Sequence, residues 1–359
     1  MIEPTLQIKA VGNVLVESEI AEVMKKRKAG IAAVAEKERQ FIAANIAPVE
    51  VKCNVDSFKP FSNNGISVSV SKLKPAKKVI ERTGAYNTGV VSGDNEERTI
   101  FTINGGSSRW IVEPDQGAFI ASWLFNGKEF SHPGPKQGLA IDGPWLPTAR
   151  FIHPFKFVKA GKTADGVVLE FQRILNSNDN KIYDRLVLHK RMEFSPDKVK
   201  VISTLSNPFS DTVRFAYRYH NTPGPMQYRK DQPSGVGKFY SGNGLVEFKR
   251  LNKHHYFKMQ NSPLEKLIMN RLFGGSNIAT YKDNGPTIQI SRPQAEFVTA
   301  DKKYSLCVSI APEIDFNGFA SWDAPDAITF EPVFNTRELP VGQSWSCEMT
   351  MEVRQNQIN

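Results

Sequence analysis

The stretch FAYRYHNTPG, from Phe215 to Gly224, holds an arginine and a histidine two residues apart. In an extended strand successive side chains alternate between faces, so Arg218 and His220 share one face and Tyr217 and Tyr219 the other. The polar turn that follows puts His220 where the strand runs out. An imidazole can move protons near neutral pH, and a guanidinium can clamp hydroxyls, carboxylates or phosphates. Such a face suits the floor of a polar cleft better than an apolar core. Glu331 stands in ITFEPVF, an otherwise apolar strand, where burial is expected. Alternation places it with Thr329 and away from Phe330. Each residue also has a plainer role open to it. His220 would be a hydrogen-bonded histidine of a cleft or core, Glu331 an outward carboxylate near a sheet edge, and Arg218 the partner of Asp211 or Glu331 in a salt bridge.

A second group lies in one long irregular segment, SHPGPKQGLAIDGPWLPTARFIHPF, from Ser131 to Phe155. Loops of this length in a compact β protein usually carry function or clamp a cleft. This one holds His132, Trp145, Arg150 and His153. Trp123 belongs to a strand, where tryptophan is as often core, so Trp145 is the better contact residue. The segment SWDAPDA around Trp322 would form a rim, and Asp315 and Asp323 are weaker polar candidates. His254-His255 has no third ligand at a useful spacing, so metal binding is not expected. The pieces NGGSS and FGGSN lack phosphate-loop spacing and read as turns, and no GxSxG elbow occurs.

The elements that must position these residues are mostly strands. The chain has 359 residues, 25 of them Gly and 22 Pro, with 23 Phe, a mixture that suits many short strands joined by turns. Val16 to Asn45 is the exception. Ile20, Val23, Ile31, Val34 and Phe41 recur at helical spacing, Ser18 is placed to cap, and Pro48 stops the pattern. From Val49 onward alternation takes over. An antiparallel meander is expected over Arg98 to Phe125, with a hairpin turn at Asn126-Gly127. Strands then follow in steady succession to Arg354, with a brief helical stretch around Pro263 to Arg271. Three parts result: a helical extension over 1–48, a β segment over 49–97 packed on the main domain, and a large antiparallel β sandwich over 98–359. No fixed-period repeat occurs, which argues against a propeller.

The net charge is +9, but the basic residues are scattered. No recognition helix or zinc finger accompanies them, so nucleic acid is not the expected partner. The basic run Lys25 to Lys28 reads as a solvated helix face. The three cysteines, Cys53, Cys307 and Cys347, have no metal-site spacing and leave room for one disulfide at most. No transmembrane span or apolar signal core is present. A soluble protein is expected, either cytoplasmic or secreted and supplied without its leader.

Three stretches resemble the galactose mutarotase or aldose 1-epimerase superfamily. They are the early meander IVEPDQGAFIASWLFNGKEF, the strand ending in His220, and the C-terminal run ITFEPVFNTRELPVGQSWSCEMTMEV. The resemblance covers residues 98 to 354 and implies a β supersandwich. It implies a glutamate base acting on the anomeric hydroxyl, which maps to Glu331, and a histidine acid toward the ring oxygen, which maps to His220. The family's second histidine lies in the loop after the opening meander. Here that loop offers His132, Arg150 and His153, none in a clear family motif, and the sugar-binding aspartate has no firm counterpart.

The chemistry so implied is the opening and reclosing of a sugar hemiacetal, which needs one group to take the O1 proton and another to donate to O5. No cofactor is required. Arg150 and Arg218 would hold a hydroxyl, or the carboxylate or phosphate of an acidic sugar, and Trp145 would stack on the ring. Three other readings stand beside this one. One is a non-catalytic carbohydrate-binding protein of a polysaccharide-processing system. Another is a sugar lyase or hydrolase relative, and the third is an interaction protein whose N-terminal helix meets a partner.

Overall fold

The computed structural model describes residues 55–73, 97–132, 137–144, 150–176, 181–208, 211–226, 235–241, 244–248, 255–259, 288–321 and 328–357. The helical pattern expected over 16–45, the helical stretch at 263–271, and Trp145, Trp322 and Asp323 lie outside them.

The first sheet is a six-stranded meander. It runs β1 (Phe61–Asn63), β2 (Ile66–Leu73), β3 (Arg98–Gly105), β4 (Ser108–Glu113), β5 (Phe119–Phe125) and β6 (Lys128–Glu129), each hydrogen-bonded to the next. The turn between the last two is Asn126-Gly127, with φ of 48° and 77°. Two successive positive φ angles are what a tight hairpin demands of its central pair. The strand β1 pairs with β2, and β2 pairs with β3, so this part of the 49–97 segment shares a sheet with the meander.

The second sheet also has six strands. It contains β7 (Ile141–Pro144), β13 (Tyr217–His220), β16 (His255–Met259), β17 (Ile288–Ile290), β20 (Phe316–Ser321) and β21 (Glu331–Phe334). Its order is β17-β16-β20-β21-β13-β7, with β16 and β17 parallel and the rest antiparallel. The third sheet has nine strands. They are β8 (Lys156–Lys162), β9 (Val167–Ile174), β10 (Val187–Ser195), β11 (Lys198–Ser206), β14 (Val236–Ser241), β15 (Gly244–Phe248), β18 (Gln294–Val298), β19 (Tyr304–Ala311) and β23 (Ser344–Gln355). Their order is β15-β14-β18-β19-β23-β11-β10-β9-β8. A small ribbon pairs β12 (Val213–Phe215) with β22 (Arg337–Leu339).

Both six-stranded sheets lie against the inner face of the nine-stranded one. Alternation along β23 turns Trp345, Cys347, Met349, Met351 and Val353 inward, and along β10 it turns Leu188, Lys190, Met192 and Phe194 inward. Aromatic rings bridge the layers. Phe101 meets Phe171, and Trp110 meets Phe194, from the meander side. Tyr217 meets Trp345, and Phe330 meets Phe297, from the second sheet. Edge-to-face contacts of this kind add to what burial of the ring area already contributes.

Several expectations need amending. The segment 131–155 is not wholly irregular, because Ile141–Pro144 forms β7 and pairs with β13. The strand expected to run from Phe215 to His220 is two strands broken at Ala216, whose carbonyl accepts the Tyr183 hydroxyl. Of the strand expected over ITFEPVF, only Glu331–Phe334 forms a ladder, and Phe330 joins as a single bridge to Asn221. Trp123 is fully buried and donates to Ser108 Oγ at 3.1 Å, which makes it core and removes it from the contact residues. Cys307 and Cys347 are both free thiols. Among the described residues no helix is long and apolar enough to cross a membrane.

Candidate active site

The register of the second sheet builds the site. Arg218 on β13 lies opposite Val333 on β21, and the same register continues to a bridge between Asn221 and Phe330. His220 therefore stands directly across from Glu331. Directly opposed side chains in an antiparallel pair share a face with their Cβ atoms about 5 Å apart, and long side chains also reach the diagonal neighbour. Both relations are used. The His220 imidazole brings Nε2 to 3.6 Å from Glu331 Oε1, and Arg218 Nη1 donates to Glu331 Oε2 along the diagonal.

Two rows of side chains cross the sheet here. One runs Ala320, Glu331, His220, Ile141, and the next runs Gly318, Val333, Arg218, Gly143. Ala320, Gly318 and Gly143 carry little or no side chain, so the polar trio is flanked by low ground. Exposure of Glu331 is 4%, of Arg218 1% and of His220 7%. Glu331 is thus neither outward-facing nor at an edge, because β21 has β20 on one side and β13 on the other. The salt bridge considered for Arg218 is made with Glu331.

Burial pushes the His220 imidazole well below its usual titration range, and the nearby charges of Arg150 and Arg218 push it further the same way. A neutral imidazole is the form this environment favours. Its Nδ1 is buried without a hydrogen-bond partner among the described residues. Buried polar nitrogens are nearly always satisfied, so this one is an exception in the cluster.

The other sequence-derived candidates divide. Arg150 is half-buried and within electrostatic reach of His220. His132 is half-buried next to Ser131, which bridges to Pro223, and His153 is exposed. Asp315 is engaged elsewhere. It accepts from Trp345 Nε1 at 3.0 Å and pairs with Arg337, at the Phe316–Phe334 end of the β20–β21 pair, whereas Glu331 sits at the other end opposite Ala320. Its place argues for a structural role. Among the described residues no cluster of His, Cys, Asp and Glu gathers in the manner of a metal site.

The reverse face of β13 carries a polar group that sequence reasoning missed. Lys190 and Asp142 are fully buried between the sheets, with Nζ 2.7 Å from Oδ2. Ser203 Oγ donates to Asp142 Oδ1 at 2.5 Å, and the Tyr217 hydroxyl donates to the same oxygen. Lys190 also donates to the Ala140 carbonyl. Tyr219 and Cys347 lie at the end of this cluster, Sγ 3.4 Å from the Tyr219 oxygen. Burial lowers the proton affinity of Lys190 despite the Asp142 charge, and it raises the titration of both tyrosines and of the thiol well above the usual range.

No family model matches this chain, and no curated protein matches it. Solved structures do resemble it. A galactose mutarotase-like protein from Clostridium acetobutylicum is 14% identical with a TM-score of 0.48, covering 72% of this chain and 96% of that one. A galactose mutarotase related enzyme from Lactobacillus acidophilus is 11% identical with a TM-score of 0.47, covering 71% of this chain and 97% of that one. A TPR-domain containing protein from Parabacteroides distasonis is 9% identical with a TM-score of 0.49, covering 82% of this chain and 56% of that one.

Proposed function

We propose that this protein acts on a carbohydrate and interconverts its anomers at the face shared by Glu331, His220 and Arg218. The observation that carries this reading is the pairing of a buried carboxylate with a buried imidazole 3.6 Å away, whose second nitrogen has no partner among the described residues. Ring opening needs a proton removed from O1 and another delivered to O5. In this proposal Glu331 takes the first. Arg218 holds its Oε2 and leaves Oε1 toward His220 and the ligand. His220 serves O5, and the two roles exchange when the ring recloses on the other face.

An imidazole must carry a proton to act as an acid, and here burial and two guanidiniums disfavour that form. A ligand bearing a carboxylate or phosphate would bring negative charge against His220 and restore its proton affinity. The reading therefore favours acidic or phosphorylated sugars over neutral ones, with Arg150 and Arg218 as the residues that face the anion.

The second reading is a non-catalytic sugar-binding protein. Its support is specific: a neutral His220 and a Glu331 already engaged by Arg218 form a weak acid–base set. Exchange spectroscopy of anomer interconversion separates the two. Neutral, acidic and phosphorylated sugars would be compared, with the wild type beside Glu331→Gln. Accelerated exchange that is lost in the variant supports the epimerase. Binding shifts on one sugar without acceleration support the binding protein, and neither effect with any sugar removes both.

A further inference from the structure

The geometry points to Asp142 as the positioning residue of this site, holding β13 from beneath so that His220 and Arg218 are presented correctly above. It rests on the reading that the His220–Glu331 face is the working face. The strand β13 is four residues long, and all four side chains are committed. Arg218 and His220 go up to Glu331, and Tyr217 and Tyr219 go down into the core. Register places Tyr219 directly across from Asp142 and Tyr217 on its diagonal. The Tyr217 hydroxyl donates to Asp142, and the Asp142 carbonyl accepts the amide of Phe151 at 2.8 Å, immediately after Arg150. One residue thus ties the strand bearing His220 and Arg218 to the segment bearing Arg150.

Asp142 is itself fixed from the opposite layer. Lys190 on β10 and Ser203 on β11 stand side by side in register, and both reach its carboxylate. The rings of Tyr217, Tyr219, Phe334 and Trp345 pack on one another beside these groups. A charge pair sealed in such surroundings is a poor source of net stability, because desolvation offsets most of the attraction. What it supplies is direction: hydrogen bonds fix angles that apolar packing leaves loose.

The test reads His220 itself and needs no substrate. Nitrogen-15 spectra of the full chain at pH 8 give the shifts and tautomer of the His220 imidazole, assigned by its absence in His220→Gln. The variants are Tyr217→Phe and Ser203→Ala, each of which deletes one hydroxyl, and Asp142→Asn. The control is Ile103→Ala, which removes buried volume in β3, a strand of the other six-stranded sheet. Positioning predicts that the Asp142 and Tyr217 variants move the His220 nitrogens by more than a line width, or mix its tautomers. The control should lower Tm and leave His220 unmoved. Folded variants with an unchanged His220 signal would overturn the proposal and leave the cluster as a joint between layers. Should Asp142→Asn fail to fold, Tyr217→Phe and Ser203→Ala decide the matter alone. A moved imidazole in a protein that exchanges no anomers would retire the epimerase and keep the positioning role.

Discussion

Glu331 is the residue whose neutral isostere separates a catalyst from a binder. Replacement by Gln keeps the shape and removes the proton acceptor, so anomer exchange should fall by about 10²–10⁴-fold, the usual range for a lost general base. Binding of the same sugar, followed by titration calorimetry, should change far less. His220 supplies a prediction with a definite sign. Its folded-state titration lies well below the ordinary value of 6.5, so the unfolded chain binds that proton more tightly. The contribution is complete above pH 6.5 and is lost as pH falls below it toward the folded value. Unfolding free energy should therefore drop between pH 7.5 and 5.5, and His220→Gln should flatten that part of the slope in urea titrations. Catalysis should run the opposite way. If His220 is the acid, exchange per folded molecule should rise as pH falls.

At the scale of the element, the period of two made β13 legible. Alternation alone separates Arg218 and His220 from Tyr217 and Tyr219, and the structure places them so. Glu331 was legible as a buried carboxylate and as one of two partners open to Arg218, but which of the two would be used was not. Register between strands that lie 113 positions apart is set by the whole sheet and leaves no local mark. Lys190 hid in plain view. It sits in LHKRMEF between His189 and Arg191 and reads as part of a basic run, although alternation with Leu188, Met192 and Phe194 turns it inward. Asp142 left no such signal, because β7 is four residues of IDGP inside a proline-rich segment. Gly117 controls how that segment returns. Its φ is 101°, and an added Cβ would sit 2.4 Å from the Phe151 carbonyl oxygen, one residue after Arg150. Gly117→Ala should cost about 1–3 kcal/mol, read from the urea midpoint, through strain at a position that L side chains rarely adopt.

For the whole molecule, the Lys190–Asp142 pair joins two layers, and its removal tests how they are held. Lys190→Met leaves Asp142 buried and unpaired and should cost about 3–5 kcal/mol. Lys190→Met combined with Asp142→Asn should recover most of that loss in the same denaturation assay, because neither charge is then stranded. The order of the nine-stranded sheet carries a different implication, one that concerns birth more than stability. Its middle strand, β23, is the last in sequence order among the described strands, and it joins β11 on one side to β19 on the other. During synthesis the strand β11 is finished at Ser206, while its neighbour begins only at Ser344. At roughly 5–20 residues per second, β11 waits on the order of ten seconds with one edge unpaired. Until residues 344–355 leave the ribosome, the layer that backs both smaller sheets exists as two separate halves. A nascent chain arrested before Ser344 should be cut readily by protease, and one released past Gln355 should resist. The keystone of the sheet is made long after the strand beside it, so this layer closes only when β23 has been synthesised.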